Sequence, residues 1–171
     1  PNTRAMKWSK LLTNLLANAS AAICNLSPAA VFAHDRLFHL EIAALRETLT
    51  VMQGLRLPVV RLPGTPSHWL GFALRNLPAW SYRSFLANKV ASGRGEKPPS
   101  LHMDLASQLR HSEVDFLNGA VVRHAKTLGI AAPVNDGLSH VLGQIVAQQT
   151  PWEHYRANPD RLADRLLSGD F

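Results

Sequence analysis

The run Phe38-His39-Leu40-Glu41-Ile42-Ala43-Ala44-Leu45-Arg46-Glu47-Thr48-Leu49-Thr50-Val51-Met52-Gln53-Gly54 decides the fold. Phe38, Ile42, Leu45, Leu49 and Met52 recur at alternating steps of four and three residues, the period of one apolar helix face. Gly54 is placed to stop that helix. The run lies in the first of three long proline-free stretches, residues 29–57, 100–132 and 134–150. Proline is excluded from helix interiors, so each stretch is expected to hold a helix. In the second, Val114, Leu117, Val121, Ala125 and Leu128 keep the same period and end at Gly129, and Ser112 with Asp115 has capping-box spacing. In the third, Leu138, Val141, Leu142 and Ile145 form one face.

Working outward, residues 5–26 are rich in Leu and Ala and predict one further helix. Residues 58–99 are rich in proline and carry Trp69, Trp80 and Tyr82 as aromatic anchors. Short helices are expected near residues 67–77 and 79–90, joined at Pro78, with an exposed loop over 92–99. Asn158-Pro159 opens a last short helix over 158–167. Residues 57–62 are the only candidate strand, and Pro58 weakens it. The four helices from Ala5, Arg36, Glu113 and Asn135 are expected to share one core. The chain reads as all-α and as a single domain.

With 171 residues, 46% hydrophobic and 18% charged, the chain can bury a core and is not disordered in bulk. No apolar run approaches the roughly 20 residues of a membrane span, and the N-terminal residues lack signal-peptide order. A single cysteine, Cys24, excludes an internal disulfide and fits a reducing compartment. A cytoplasmic protein is the expectation. The net charge of +6 is concentrated between Thr48 and Met103, where Arg56, Arg61, Arg75, Arg83, Lys89, Arg94 and Lys97 face only Glu96. Such a stretch could steer an anion or nucleic acid; without a continuous basic run it reads equally as a solvated face.

Absent motifs narrow the chemistry. Gly93-Arg94-Gly95 lacks the third glycine and the preceding strand of a dinucleotide fingerprint, and no phosphate-binding loop occurs. His34 and His39 are five apart, which diverge around a helix, and one cysteine closes off thiolate metal sites. No metal is expected. What remains is a polar stripe in Trp8-Ser9-Lys10-Leu11-Leu12-Thr13-Asn14-Leu15-Leu16-Ala17-Asn18. On a continuous helix Lys10, Asn14 and Asn18 stack along one face. They are either a solvent-facing stripe or a set of polar groups at a buried edge, which would need partners.

This segment resembles the Trp-x-Lys-Leu-x-x-Asn-x-x-x-Asn pattern of the ketopantoate reductase family. Three more segments follow in the family's order. Pro99-Ser100-Leu101-His102-Met103-Asp104 is similar to Ser-Ser-Met-x-x-Asp, with Pro99 in place of the first serine. Ser112-Glu113-Val114-Asp115-Phe116-Leu117-Asn118-Gly119 resembles Thr-Glu-Ile-Asp-x-Leu-Asn-Gly, and Gly129-Ile130-Ala131-Ala132-Pro133-Val134-Asn135 resembles Gly-Ile-x-x-Pro-x-Asn.

The resemblance implies a helical C-terminal, substrate-side domain of the 6-phosphogluconate dehydrogenase-like type. Its partner would be the protein's own N-terminal Rossmann domain, which binds NADPH and is not in this chain. The implied reaction reduces a 2-oxo acid, ketopantoate to pantoate in the family, a step of pantothenate biosynthesis. Lys10 would be the proton donor and Glu113 its active-site companion. Asn14 and Asn18 would hold the substrate hydroxyl and orient the ketone, and Ser100 would bind the carboxylate. Asp115, Asn118 and Asn135 read as capping and packing residues, with Asn135 a cap. The chain alone is expected to bind no cofactor, to be inactive, and to self-associate as a homodimer through the face left uncovered. A free-standing basic module on nucleic acid and a dimerisation domain are the alternatives from other classes.

Overall fold

A computed structural model of the protein describes residues 2–94 and 117–169, with side chains at 89–94 excepted. Among these residues the chain is helical throughout, and the only β pairing is an isolated bridge between Leu62 and Thr65. The helices are α1 (Thr3–Asn14), α2 (Ala19–Cys24), α3 (Pro28–Ala33), α4 (Asp35–Gly54), α5 (Ser67–Asn76) and α6 (Ala79–Arg94). Beyond the undescribed stretch come α7 (Asn118–Leu128), α8 (Pro133–Val146), a 3-10 turn (Trp152–His154) and α9 (Pro159–Ser168).

Helix α4 is the axis of the fold. Its 20 residues span about 30 Å, and it packs against α1, α3, α5, α7, α8 and α9. Phe38, Ile42, Leu45, Leu49 and Met52 are all buried, as their period requires. They join Leu138, Val141, Leu142 and Ile145 of α8 and Val121 and Ala125 of α7 in one continuous core. Gly54 plays a different part from the one its position suggests. It is the last helical residue, and the left-handed residue that turns the chain is Arg56 (φ 56°), with Leu57 N–H closing onto Met52 O. Gly54 instead makes room: an added Cβ would come 2.8 Å from Ile130 Cδ1 and 3.0 Å from Leu128 Cδ1. Gly129 does take the left-handed stop of α7, at φ 66°.

The single helix expected over residues 5–26 is two helices. The chain leaves α1 after Asn14, and Ala17 adopts a left-handed conformation at φ 47° with no exposure to solvent. A non-glycine residue there costs about 1–2 kcal/mol. The buried Glu41 of α4 offsets it: one carboxylate oxygen accepts the Ala17 N–H at 2.8 Å and the other accepts a short hydrogen bond from the Ser20 hydroxyl. Short α2 is held from the other end of the chain too. Trp152 Nε1 donates to Ala22 O and Ile23 O, and Ala157 N–H donates to Cys24 O.

Residues 57–62 are extended but form no strand. Side chains satisfy both backbone groups of Val60, since its N–H donates to Ser9 Oγ at 2.9 Å and Ser67 Oγ donates to its carbonyl oxygen at 2.7 Å. Both short helices of the middle region are present, although α6 runs on to Arg94, into the stretch expected to be loop. Of the aromatic anchors, Tyr82 is buried and Trp69 half-buried, whereas Trp80 is 79% exposed. Among the described side chains of the basic segment, Arg56, Arg61 and Arg75 are exposed. Arg83 is the exception: it lies 4.8 Å above the Phe38 ring, pairs with Asp35 and donates to Phe32 O and Ala33 O. No described helix is long and apolar enough to cross a membrane.

Candidate functional site

Two polar clusters sit on either side of α7. The first is buried at Asn118 and Asn135, with Glu47 half-buried at its edge. Asn135 is fully enclosed and is not a cap: it stands inside α8, where its Nδ2 donates to Ala44 O and to a Glu47 carboxylate oxygen. Its Oδ1 accepts from Asn118 Nδ2 at 3.0 Å. Glu47 does the capping, accepting the N–H groups of Val134 and Asn135 at 2.9 and 3.0 Å. This carboxylate at the start of α8 satisfies two orphan donors and suits the helix dipole. Burial pushes the Glu47 carboxyl above the usual carboxylate range, against the opposing effect of hydrogen bonds from Asn135 and Val134. The cluster ties α4, α7 and α8 together and pairs most of its polar groups in doing so, Asn118 Oδ1 being buried without a partner.

The second cluster is open. Between α1 and α7 runs a groove of about 290 Å³, lined by Lys7, Trp8, Lys10, Leu11 and Asn14 from one helix and by Leu117, Ala120 and His124 from the other. Lys10 and Asn14, one turn apart, are both exposed, while Trp8 and Leu12 beneath them are buried in the core. Lys10 makes no ion pair with a described residue. An ammonium beside an apolar wall is suited to a developing negative charge, because a low-dielectric surround strengthens the attraction.

The break after α1 changes the position of Asn18. It lies beneath the groove, 4% exposed, with its Nδ2 donating to Asn14 O at 3.2 Å and its Oδ1 buried without a partner. Lys10 and Asn14 therefore share the groove, and Asn18 braces the end of α1 under it. Ser100 and Glu113 lie outside the described residues, as do Asp104, Ser112 and Asp115. Leu117, the first described residue after Glu113, lines the groove.

His124 and Lys7 belong to the groove and were not legible as site residues. Lys7 is one turn before Lys10, and His124 follows Leu117 and Ala120 on one face of α7, but only the apolar members of that face stand out in sequence. His124 is fixed: its ring meets Trp8 edge-to-face at 5.1 Å, and its Nδ1 is 2.9 Å from Ala120 O. Cys24 offers no nucleophile, since burial and the charge of Glu41 push its thiol up to about 12. No group of metal-ligating side chains occurs among the described residues.

Comparison with known proteins agrees with this architecture. Residues 2–146 match the family model described as the ketopantoate reductase PanE/ApbA C terminal. A 2-dehydropantoate 2-reductase of Pyrobaculum aerophilum is 26% identical over 136 residues, which make up 80% of this chain and 41% of that protein. Among solved structures, a PanE/ApbA family ketopantoate reductase from Ralstonia eutropha superposes with a TM-score of 0.65 at 24% identity, over 87% of this chain and 43% of that one. D-mandelate dehydrogenase, solved with NADH and anilino(oxo)acetate, gives 0.62 at 18% identity, over 82% and 67%. The chain spans less than half the length of the two reductases it matches. With most of its length matched by the family model and its helices laid out on the same fold, this chain belongs to the ketopantoate reductase C-terminal domain family.

Proposed function

We propose that this chain is the substrate-side half of an NADPH-dependent 2-oxo acid reductase, acting on ketopantoate or a close analogue. The observation that carries the reading is the exposed pair Lys10 and Asn14, one helical turn apart at a mostly apolar groove. A ketone being reduced gains negative charge on its oxygen and must take up a proton. Lys10 is the group for both tasks, as a positioned ammonium that first attracts the charge and then gives up a proton. Asn14 is the neighbouring hydrogen-bonding group that orients the substrate. Asn18 contributes from below by holding the end of α1. Ser100 and Glu113 complete the proposed set, as carboxylate ligand and as companion to the lysine.

The cofactor does not fit the described part of this chain. A dinucleotide's pyrophosphate needs a strand, a glycine turn and a helix N-terminus, and no strand is present among the described residues. In this reading NADPH and its hydride belong to a Rossmann domain that partners this one in a protein confined to the cytoplasm. The test is an assay of the 171-residue chain and of the full-length protein with NADPH and a panel of 2-oxo acids. The expected result is turnover by the full-length protein alone. Equal turnover by the isolated chain, or none by either, would overturn the reading.

A further inference from the structure

The groove has a polar group on each wall, and the reaction as proposed uses only one of them. Across from Lys10 and Asn14 stands His124, on a helix that no proposed chemical step involves. Its two nitrogens are not equivalent. Ala120 O can only accept, so Nδ1 carries the hydrogen of their 2.9 Å contact. Nε2 is therefore the nitrogen left to meet a ligand, as an acceptor when the ring is neutral. The half-buried ring is held in place at the groove, because Trp8 packs against it edge-to-face with 88° between the planes, and Trp8 is itself buried.

A fixed acceptor among Trp8, Leu11, Leu117 and Ala120 selects for a donor on the apolar part of a ligand. Lys7 and Lys10 line the same groove, so a cationic donor would be repelled and a neutral one is favoured, of which a hydroxyl is the simplest on a 2-oxo acid. We propose that His124 is a specificity-determining residue, whose Nε2 accepts a hydrogen bond from a hydroxyl on the substrate's side chain while the apolar residues enclose the rest of that side chain. This rests on the 2-oxo acid reading above. A substrate lacking the hydroxyl would leave the nitrogen desolvated and unpaired, which is how a built hydrogen-bonding site discriminates.

The experiment compares 4-hydroxy-3,3-dimethyl-2-oxobutanoate with 3,3-dimethyl-2-oxobutanoate, which differ only by the hydroxyl, in the full-length protein. The wild type should favour the hydroxy acid in kcat/KM by about tenfold or more, the worth of one such hydrogen bond. His124→Phe keeps a ring against Trp8 and removes the nitrogens. It should collapse that preference, chiefly by lowering kcat/KM for the hydroxy acid. His124→Gln, which restores an acceptor, should recover part of the preference. An unchanged preference in His124→Phe, or no preference in the wild type, would overturn the assignment of His124 alone. A wild type that reduces neither acid nor any other 2-oxo acid would overturn the reductase reading, and this inference with it.

Discussion

The two polar clusters beside α7 both contain asparagine and do opposite things. At the α4–α7–α8 junction, Glu47, Asn118 and Asn135 turn inward and hydrogen-bond to one another and to the backbone. Across α7, Lys10, Asn14 and His124 border an open groove over Trp8 and Leu12 of the core. Buried polar groups that satisfy one another contribute to architecture and have little left for a ligand. Lys10 and His124, at the edge of the groove, are positioned by well-packed neighbours and still face the open space. Membership in a family segment does not separate the two kinds. Asn14 and Asn135 both come from segments that carry the resemblance, yet one lies at the groove and the other inside the protein.

That division can be broken or sharpened by substitution. The largest effect is expected at Lys10. Lys10→Ala in the full-length protein should lower turnover by about 10²–10⁴-fold, the range for loss of a positioned acid, and should leave thermal unfolding almost unchanged because the side chain is exposed. If unfolding moved instead of turnover, Lys10 would belong with the structural cluster. Glu47→Ala should do the reverse. It strands the N–H groups at the start of α8 and one amide of Asn135, at a cost of about 1–3 kcal/mol in denaturant unfolding, with KM unaffected.

Glu47 also carries a pH signature. Its folded-state pKa is raised, chiefly by burial, so the folded protein holds this proton to higher pH than the unfolded chain does. The resulting contribution favours folding at acid pH and is lost as pH rises from the ordinary carboxylate range through the raised value. Unfolding curves of Glu47→Gln should lack that component of the pH slope, and an identical slope in both proteins would contradict the assignment. A smaller effect is expected from Asn14→Ala, a rise in KM of about tenfold from one lost hydrogen bond. A fall in kcat with KM unchanged would make Asn14 a partner of the reaction itself. The smallest belongs to Trp80, whose exposed ring should tolerate Trp80→Ala within about 0.5 kcal/mol in the same unfolding assay.

Much of this was legible in the sequence, for local reasons. The steps of three and four in α4, α7 and α8 are dictated by burial on one face, and proline positions set off the short helices of the middle region. Lys10 and Asn14 were readable as neighbours because they lie within one unbroken helix. Asn18 was not, since the break before it depends on Glu41, 24 residues beyond Ala17 in sequence. Asn135 looked like a cap because its neighbours do, whereas the actual cap is Glu47 on another helix. Gly54 looked like a stop, and only the approach of Leu128 and Ile130 explains it. These three failed expectations share a cause: in each, a side chain from a distant part of the chain supplies the hydrogen bond or the contact.

The central claim is that the groove between α1 and α7 is where a 2-oxo acid meets its proton donor. The most direct measurement is a crystal structure of the full-length protein with a bound 2-oxo acid. The account predicts the keto oxygen within about 2.6–3.2 Å of Lys10 Nζ, with the acid's side chain in the groove against Leu11, Leu117 and His124. An acid bound instead in the separate cavity lined by His39, Arg46, Glu47 and Thr50 would contradict it, as would Lys10 turned away from the keto oxygen.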